Sequence, residues 1–292
     1  MTAAPAAANV WLERRILSYA HQGGAWEAPS STLFAVRRAL ELGATGIELD
    51  VHATADGALV VSHDGTVDRT TNGEGSIHRL TLAEVQALDN AYWFAPGADV
   101  SPGLEADAYP YRGRAPDDHD FRIATLEEIL ELLDGYPTVA VNLDIKATAP
   151  AVDPYEERLA ETLAAFGHPD RVIVASFLDA ATAAFSGFAP AIATSAGTLA
   201  VAEFWRALHQ GGEPAVMDHV ALQVPAVFSD QPLVDESFVQ TAHRQGLAVH
   251  VWTINDEQEM ARLVDLGVDG IISDRPSALV ALLDQSHCAW RP

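Results

Sequence analysis

Two acidic residues and a histidine lie close together between residues 46 and 64. Glu48 and Asp50 are two positions apart in an apolar, β-branched run, so in a strand both carboxylates project from the same face. Asp56-Gly57 is a strong signal for a hairpin turn, and a turn centred there places His63 opposite Asp50. A pairing shifted along the strand places His63 opposite Glu48 instead. Either pairing predicts that a histidine and two carboxylates share one face.

The two carboxylates predict a cation site. Two carboxylates within about 4 Å repel each other by roughly 4 kcal/mol at an effective dielectric of about 20, so one is protonated or a cation lies between them. Oxygen ligands favour the hard cations Mg²⁺ and Ca²⁺. The alternative is a solvated sheet face, but Ile47, Leu49 and Val51 oppose it because neither face of a barrel strand is freely solvated.

A third acid, Asp144, alternates with Lys146 in the apolar run 141–146, so the two side chains share a face. Lys146 is the single lysine of a sequence with 17 lysine and arginine residues. Standing alone, the pair would be interpreted as a structural ion pair. Beside the other acids, we interpret Asp144 as a third metal ligand and Lys146 as an ammonium group that contacts phosphate.

A second histidine, His21, ends the first predicted strand and precedes Gln22-Gly23-Gly24. Barrel enzymes place catalytic groups at the carboxyl ends of strands, and glycine lets the backbone approach a ligand closely. His21 and His63 together can supply a base and an acid near neutral pH.

Short β-branched runs alternate with amphipathic segments along most of the chain. Helices are predicted over 32–42, 125–133 and 256–266. Eight strands with intervening helices predict an α/β fold, the (β/α)8 barrel, and no G-x-G-x-x-G follows the first strand as in a doubly wound sheet. The predicted strands are 16–20, 46–51, 139–145, 171–176, 191–194, 219–223, 247–253 and 270–272.

One long segment, about residues 65–124, interrupts this alternation. It is rich in Gly, Pro and aromatic residues, including Tyr92-Trp93-Phe94. Irregular segments of this length within a domain are usually functional, so we interpret it as an insertion above the carboxyl-terminal face of the barrel. No linker divides the chain, which predicts a single domain over 1–292.

The composition excludes several classes of partner. The sequence has 17 basic and 41 acidic residues, a net charge of −24, which opposes binding to nucleic acid or to an anionic membrane. The single cysteine, Cys288, excludes an intramolecular disulfide. No run approaches the roughly 18 apolar residues of a membrane span, and residues 1–5 lack the features of a signal peptide. We therefore predict a soluble cytoplasmic protein.

Several of these residues belong to an ordered set of motifs that covers the chain from about His21 to Pro276. The set resembles the glycerophosphodiester phosphodiesterases. This resemblance implies a TIM barrel, one divalent cation and cleavage of a phosphodiester between glycerol-3-phosphate and an alcohol. The motifs are His21-x-Gly23, Pro29-x-x-Thr32, Glu48-x-Asp50, Asp56-Gly57, His63-Asp64, the strand ending in Lys146, and the runs 251–255 and 267–274.

The resemblance also implies a role for each matching residue. The positions that match are the catalytic histidines His21 and His63, the metal ligands Glu48, Asp50 and Asp144, and the substrate-pocket residues Lys146 and Trp252.

Three positions depart from the family pattern. The family usually has an arginine after the first histidine, where it grips phosphate, whereas this chain has Gln22. Glutamine donates a hydrogen bond but carries no charge, so we expect Gln22 to contact the substrate with altered affinity or choice. Asp144 stands where Glu is common, as in the related sphingomyelinase D enzymes. The family's Pro-Glu-Asn-Thr is Pro29-Ser30-Ser31-Thr32 here.

Two alternatives to hydrolysis of a small glycerophosphodiester stay open. One is lysophospholipase D-like or sphingomyelinase D-like cleavage of a lysophospholipid, with Tyr92, Trp93 and Phe94 contacting the acyl chain instead of packing the insertion onto the barrel. The other is a non-catalytic protein that binds phosphodiesters and has lost activity along with the arginine.

Overall fold

The computed structural model of the protein describes residues 9–98, 100–146 and 155–291. Residues 1–5, which we predict above not to be a signal peptide, are outside the described residues. Eight parallel strands form a barrel, and β3 adds to β2 as an antiparallel hairpin. The strands are β1 Leu17–His21, β2 Gly46–Ala53, β3 Leu59–Val61, β4 Ala140–Ile145, β5 Val172–Ala175, β6 Ala193–Thr194, β7 Ala221–Pro225, β8 Val227–Phe228, β9 Gln231–Pro232, β10 Ala248–Trp252 and β11 Gly270–Ser273.

The order of the hydrogen-bonded strands is β6-β5-β4-β2-β1-β11-β10-β7. A parallel bridge between Ser195 and Ala221 brings the two ends of this sheet together. The predicted (β/α)8 arrangement is therefore confirmed, with each predicted strand present within about two residues.

Helices cover the outside of the barrel, and several of them begin at side-chain caps that the sequence supplies. Thr32 caps α2, and Thr125 forms a capping box with Glu128 at the start of α4. The α-helices are α1 Val10–Glu13, α2 Leu33–Glu41, α3 Leu82–Gln86, α4 Leu126–Asp134, α5 Tyr155–Phe166, α6 Asp179–Phe188, α7 Thr198–His209, α8 Glu236–Arg244, α9 Glu257–Leu266 and α10 Pro276–Gln285. None of the helices within the described ranges is long and apolar enough to cross a membrane.

The register of the β2–β3 hairpin differs from both predicted pairings. His52 pairs with Val60, and the amide of Ser62 donates to the carbonyl of Asp50 over 3.0 Å, so Ser62 rather than His63 is opposite Asp50. The turn explains this difference, because it contains three residues rather than two. Gly57, within the turn, has a left-handed φ of +83°. His63 follows the end of β3, where the chain leaves the ladder.

The floor of the barrel is packed around Tyr19. Gly46 is the neighbour of Tyr19 in the β1–β2 register, and a Cβ atom at Gly46 would be 2.4 Å from the Tyr19 ring. The His250 ring is 5.3 Å from that of Tyr19, and Trp11 of α1 closes the layer with its ring 6.2 Å from His250. This floor is buried, so access to the barrel interior is from the opposite end.

The segment 65–124 packs beside α2. Phe34 of α2 stacks on Phe121 with 4.8 Å between the rings, and the Asn90 amide donates to the carbonyl of Ser30 over 3.0 Å. Within the segment, the Arg112 guanidinium is over the rings of Tyr92 and Trp93, at 4.3 and 4.8 Å. The aromatic residues of this segment therefore pack against the segment itself and α2.

Candidate active site

A cavity of about 790 Å³ opens at the carboxyl ends of the barrel strands. The register of neighbouring strands brings predicted site residues into contact, because His21 pairs with Glu48 and Asp50 pairs with Asp144. His63 and Trp252 also line this cavity.

Lys146 lies between two of the three acids. Its Nζ donates to Asp50 Oδ1 over 2.8 Å and to Asp144 Oδ2 over 2.6 Å. Burial alone would lower the pKa of Lys146, but these two carboxylates raise it above its ordinary value, so the ammonium group is charged. Burial raises the pKa of Asp144, and the Lys146 charge opposes that rise.

Glu48 is the acid without a lysine partner. Burial and the neighbouring Asp50 raise its pKa to about 8. Glu48 Oε2 and Asp50 Oδ2 are buried and accept no hydrogen bond from any described residue. These unpartnered oxygen atoms, close to the Asp144 carboxylate, are ligands of the kind that a hard divalent cation prefers.

His21 is held by acids on both sides. Its Nδ1 is 2.6 Å from Asp274 Oδ1, and its Nε2 is 3.7 Å from Glu48 Oε2. Burial alone would lower the pKa of His21, but the hydrogen bond to Asp274 and the charges of Glu48 and Asp274 raise it to about 9.

His63 faces His21 across the cavity, with 6.2 Å between the ring centres and the rings nearly perpendicular. Its Nδ1 is 2.7 Å from Asp64 Oδ1, and Arg69 binds the other Asp64 oxygen at 2.6 Å. The hydrogen bond to His63 and the Arg69 charge lower the pKa of Asp64 to about 2. Each histidine thus has Nδ1 bound to a carboxylate, which leaves Nε2 for chemistry.

Known proteins match this chain over most of its length. The model of the glycerophosphoryl diester phosphodiesterase family matches residues 21–278. A glycerophosphodiester phosphodiesterase of Caldanaerobacter subterraneus subsp. tengcongensis is 34% identical over 274 residues, 92% of this chain and 98% of that protein. The chain belongs to the glycerophosphoryl diester phosphodiesterase family. A Bacillus subtilis glycerophosphodiester phosphodiesterase is 28% identical, over 92% of this chain and 86% of that protein.

Solved structures share the fold of this family member. A glycerophosphoryl diester phosphodiesterase domain from Mycobacterium tuberculosis has a TM-score of 0.75 at 21% identity, covering 93% of this chain and 99% of that one. An Oleispira antarctica phosphodiesterase, solved with the product sn-glycerol-3-phosphate, has a TM-score of 0.68 at 24% identity, covering 94% and 99%. The predicted family, barrel fold and glycerophosphodiester phosphodiesterase class are confirmed.

Gln22, which stands where the family usually has arginine, is buried beside His21. Its Nε2 is 3.2 Å from His21 Nε2, and its backbone is left-handed with a φ of +53°. Among the described residues that line the cavity, Gln22 is absent. In this structure it contacts a predicted catalytic histidine rather than the cavity itself.

Two carboxylates that the sequence did not single out bind the histidines. Asp274 follows β11, the strand beside β1, and also accepts a hydrogen bond from Asn255 over 2.7 Å. Asp64 directly follows His63. Both belong to motifs quoted above, and the adjacency of first and last strands in a barrel was the available signal for Asp274.

A second cavity, of about 480 Å³, adjoins the first and shares His63, Lys146, Ser176 and Phe177 with it. His52 and His78 also line it. His52 is 2% exposed, and neither of its ring nitrogens has a partner in the described part of the chain. The lining of this cavity is mixed, with Thr66 and Ser76 beside the apolar Ile145 and Leu178.

Another group of side chains has the atoms to bind a cation. Asp118, His119 and Asp120 place one ligand atom each within 4.8 Å of the others. Asp120 is also 3.6 Å from the Arg37 guanidinium. This group belongs to the segment 65–124 and does not line either cavity.

Proposed function

We propose that the protein hydrolyses glycerophosphodiesters to glycerol-3-phosphate and an alcohol, with a divalent cation at Glu48, Asp50 and Asp144. Water adds to phosphorus, the bond from phosphorus to the alcohol oxygen breaks, and the alcohol leaves with a proton. The observation that carries this proposal is the pair of facing histidines, 6.2 Å apart between ring centres, beside the buried Glu48 and Asp50 and the partly buried Asp144.

His21 and His63 move the two protons of this reaction. One takes a proton from the attacking water, and the other gives a proton to the leaving alcohol. The bonds from Nδ1 to Asp274 and to Asp64 hold each ring in place and favour one tautomer, with Nε2 toward the substrate.

The three acids fit Mg²⁺ or Ca²⁺, which when bound would polarise the phosphoryl oxygens and offset their charge. Lys146 contacts the phosphate from between Asp50 and Asp144. Trp252 lines the cavity at the end of β10 and orients the substrate.

The test uses protein stripped of metal by a chelator, with glycerophosphocholine as the substrate. We expect release of glycerol-3-phosphate only after Mg²⁺ or Ca²⁺ is added back. Alanine at His21 or His63 should lower kcat by about 10²- to 10⁴-fold without unfolding the protein. His168→Ala, a half-exposed histidine away from the cavity, is the control and should keep full activity. If the His21→Ala variant had the same kcat as the unsubstituted protein, the catalytic role proposed for His21 would be wrong.

The alternative lysophospholipid substrate loses its original support, because Tyr92 and Trp93 pack against Arg112 and do not line the cavity. A non-catalytic binding protein would be indicated by binding of the phosphodiester with no turnover at any metal concentration. The cytoplasmic location and the single domain over 1–292 stay predictions.

A further inference from the structure

We propose that the outer part of the main cavity is a subsite for a single hydrocarbon chain on the substrate. This inference rests on the proposed function, since the chain would belong to a phosphodiester cleaved at the same histidines. The apolar wall is formed by Phe177, Val201, Trp205, Phe228, Pro232 and Leu233.

The apolar wall comes from three separate parts of the chain. Phe177 follows β5, Trp205 is on α7, and Phe228 is on the β8–β9 hairpin. Phe177 and Phe228 are 53% and 65% exposed, although both are large and apolar. Soluble proteins seldom group exposed aromatic side chains at the mouth of a cavity unless the group contacts something apolar.

The wall begins beside two residues that we assign to substrate binding, Lys146 and Trp252. The Lys146 ammonium is 5.4 Å from the centre of the Phe177 ring, and that ring is 5.6 Å from Trp252. A phosphodiester held by Lys146 would therefore have its substituent beside Phe177 within a few bonds of phosphorus. The cavity, about 790 Å³ in volume, has room for a substituent beyond the glycerophosphoryl group.

The lining of the second cavity is mixed, whereas the apolar wall is not. This cavity shares His63, Lys146, Ser176 and Phe177 with the main cavity, and Thr66, Ser76 and His78 add polar groups to it beside Ile145 and Leu178. Hydroxyl groups of glycerol fit those polar groups, whereas an apolar chain fits the wall from Phe177 to Phe228. The chain could be carried by the leaving alcohol or esterified to glycerol, and both sources present the same hydrocarbon.

The experiment compares substrates that differ only in chain length and stay below their micelle concentrations. The first series is glycerol-3-phosphate esterified to ethanol, butanol or octanol, which yields glycerol-3-phosphate. The second compares glycerophosphocholine with its 1-butanoyl and 1-octanoyl esters, which yield choline and an acylated glycerol phosphate. We expect kcat/KM to rise in one series by up to about fourfold per methylene, the factor that corresponds to ~0.8 kcal/mol.

The hairpin supplies a matched pair of variants. Phe228→Ser should reduce the ratio of kcat/KM for the octyl over the ethyl substrate by about tenfold. Val227→Ser, the adjacent and 51% exposed residue that does not line the cavity, should leave both values unchanged. Trp205→Ala tests the same wall from α7, with thermal unfolding measured for every variant.

The outcomes separate the two proposals. A rise in the alcohol series assigns the chain to the leaving group, and a rise in the acyl series assigns it to glycerol. Hydrolysis of glycerophosphocholine with no dependence on chain length in either series would overturn the chain subsite and leave the proposed function intact. Failure to hydrolyse any of the substrates with added metal would overturn the proposed function itself.

Discussion

The two acid partners of Lys146 suit lysine better than arginine at this position. A compact ammonium group can donate to two carboxylates from one point, as Lys146 does to Asp50 and Asp144 at 2.8 and 2.6 Å. The planar guanidinium group presents its donors in a fixed fork that suits one carboxylate from one side. The sequence uses arginine at its other 16 basic positions.

The hydrogen bond between Asp274 and His21 gives a test of proton transfer. Asp274→Asn removes a negative charge 2.6 Å from His21 Nδ1 while keeping the shape of the side chain. We expect the pKa of His21 in metal-free protein to fall below about 9, because this hydrogen bond is a main cause of its rise. Proton NMR titration of the imidazole measures the shift, and kcat should fall by about 10- to 100-fold.

The control for this substitution is Asp284→Asn, which removes an acid paired with Arg291 on the surface. It should change neither the His21 titration nor kcat. An unchanged His21 titration in the Asp274 variant would show that other groups hold the proton on this ring.

The shared face of Glu48 and Asp50 could be predicted from the sequence, whereas the position of His63 could not. Glu48 and Asp50 are related by strand alternation, which has a fixed period of two, so their shared face could be predicted locally. The position of His63 depends on the turn, and one extra turn residue changed the register. His63 still reaches the cavity because it lies beyond the end of β3, where pairing no longer fixes its direction.

At the element scale, the long parallel strands were predictable because their buried runs are continuous and β-branched. The β8–β9 hairpin was not predicted. Each of its two strands has only two residues, and β9 includes Pro232. Its turn residues Ser229 and Asp230 have φ values of +49° and +62°. Asn-Gly is the usual sequence for such a turn, so Ser-Asp gave little signal.

The β1–β2 contact at the barrel floor predicts the effect of one added methyl group. Gly46→Ala should destabilise the protein by about 1–3 kcal/mol, because the new Cβ would be 2.4 Å from the buried Tyr19 ring. Chemical denaturation measures this loss as a change in the free energy of unfolding.

Gly187→Ala is the matched control within α6. This glycine is exposed, and a Cβ there would have no neighbour within 4 Å. It should stabilise the protein by about 0.5–1 kcal/mol, because alanine is the better helix former. Equal effects of the two substitutions would contradict close packing at the barrel floor.

At the scale of the whole molecule, the buried acids couple stability to pH and metal. The pKa of Glu48 is raised to about 8 and that of His21 to about 9. A raised pKa means that the folded protein binds protons more tightly than the unfolded chain, so this stabilisation is present at low pH. It is lost as pH rises through about 8 and 9. Metal-free protein should therefore lose stability from about pH 4.5, the ordinary pKa of the glutamate side chain, up to about pH 9.

A bound cation should replace the protons at these acids. We expect Mg²⁺ or Ca²⁺ to raise Tm more at pH 8.5 than at pH 5.5, because the carboxylates are then free to bind it. Thermal unfolding at both pH values, with and without chelator, measures this difference. Glu48→Gln should reduce it, whereas Glu105→Gln, on the exposed surface, should not. A metal effect independent of pH would contradict the assignment.

The apolar wall of the cavity was beyond prediction because it exists only at the level of the whole fold. Phe177, Trp205 and Phe228 are far apart in sequence, and none belongs to a periodic pattern that indicates a binding surface. Their convergence depends on the lengths of three connections at one end of the barrel. The sequence instead drew attention to Tyr92 and Trp93, which are adjacent but face another part of the protein.

The single lysine has a practical consequence for chemical labelling. Reagents that acylate or reductively alkylate primary amines have one side-chain target in this protein, Lys146, which is 19% exposed and lines the main cavity. Surface labelling through amines, common for fluorophores and for coupling to solid supports, would therefore be confined to the α-amino group until Lys146 reacts. Protection of Lys146 from such a reagent by an added phosphodiester would report directly on occupancy of the cavity.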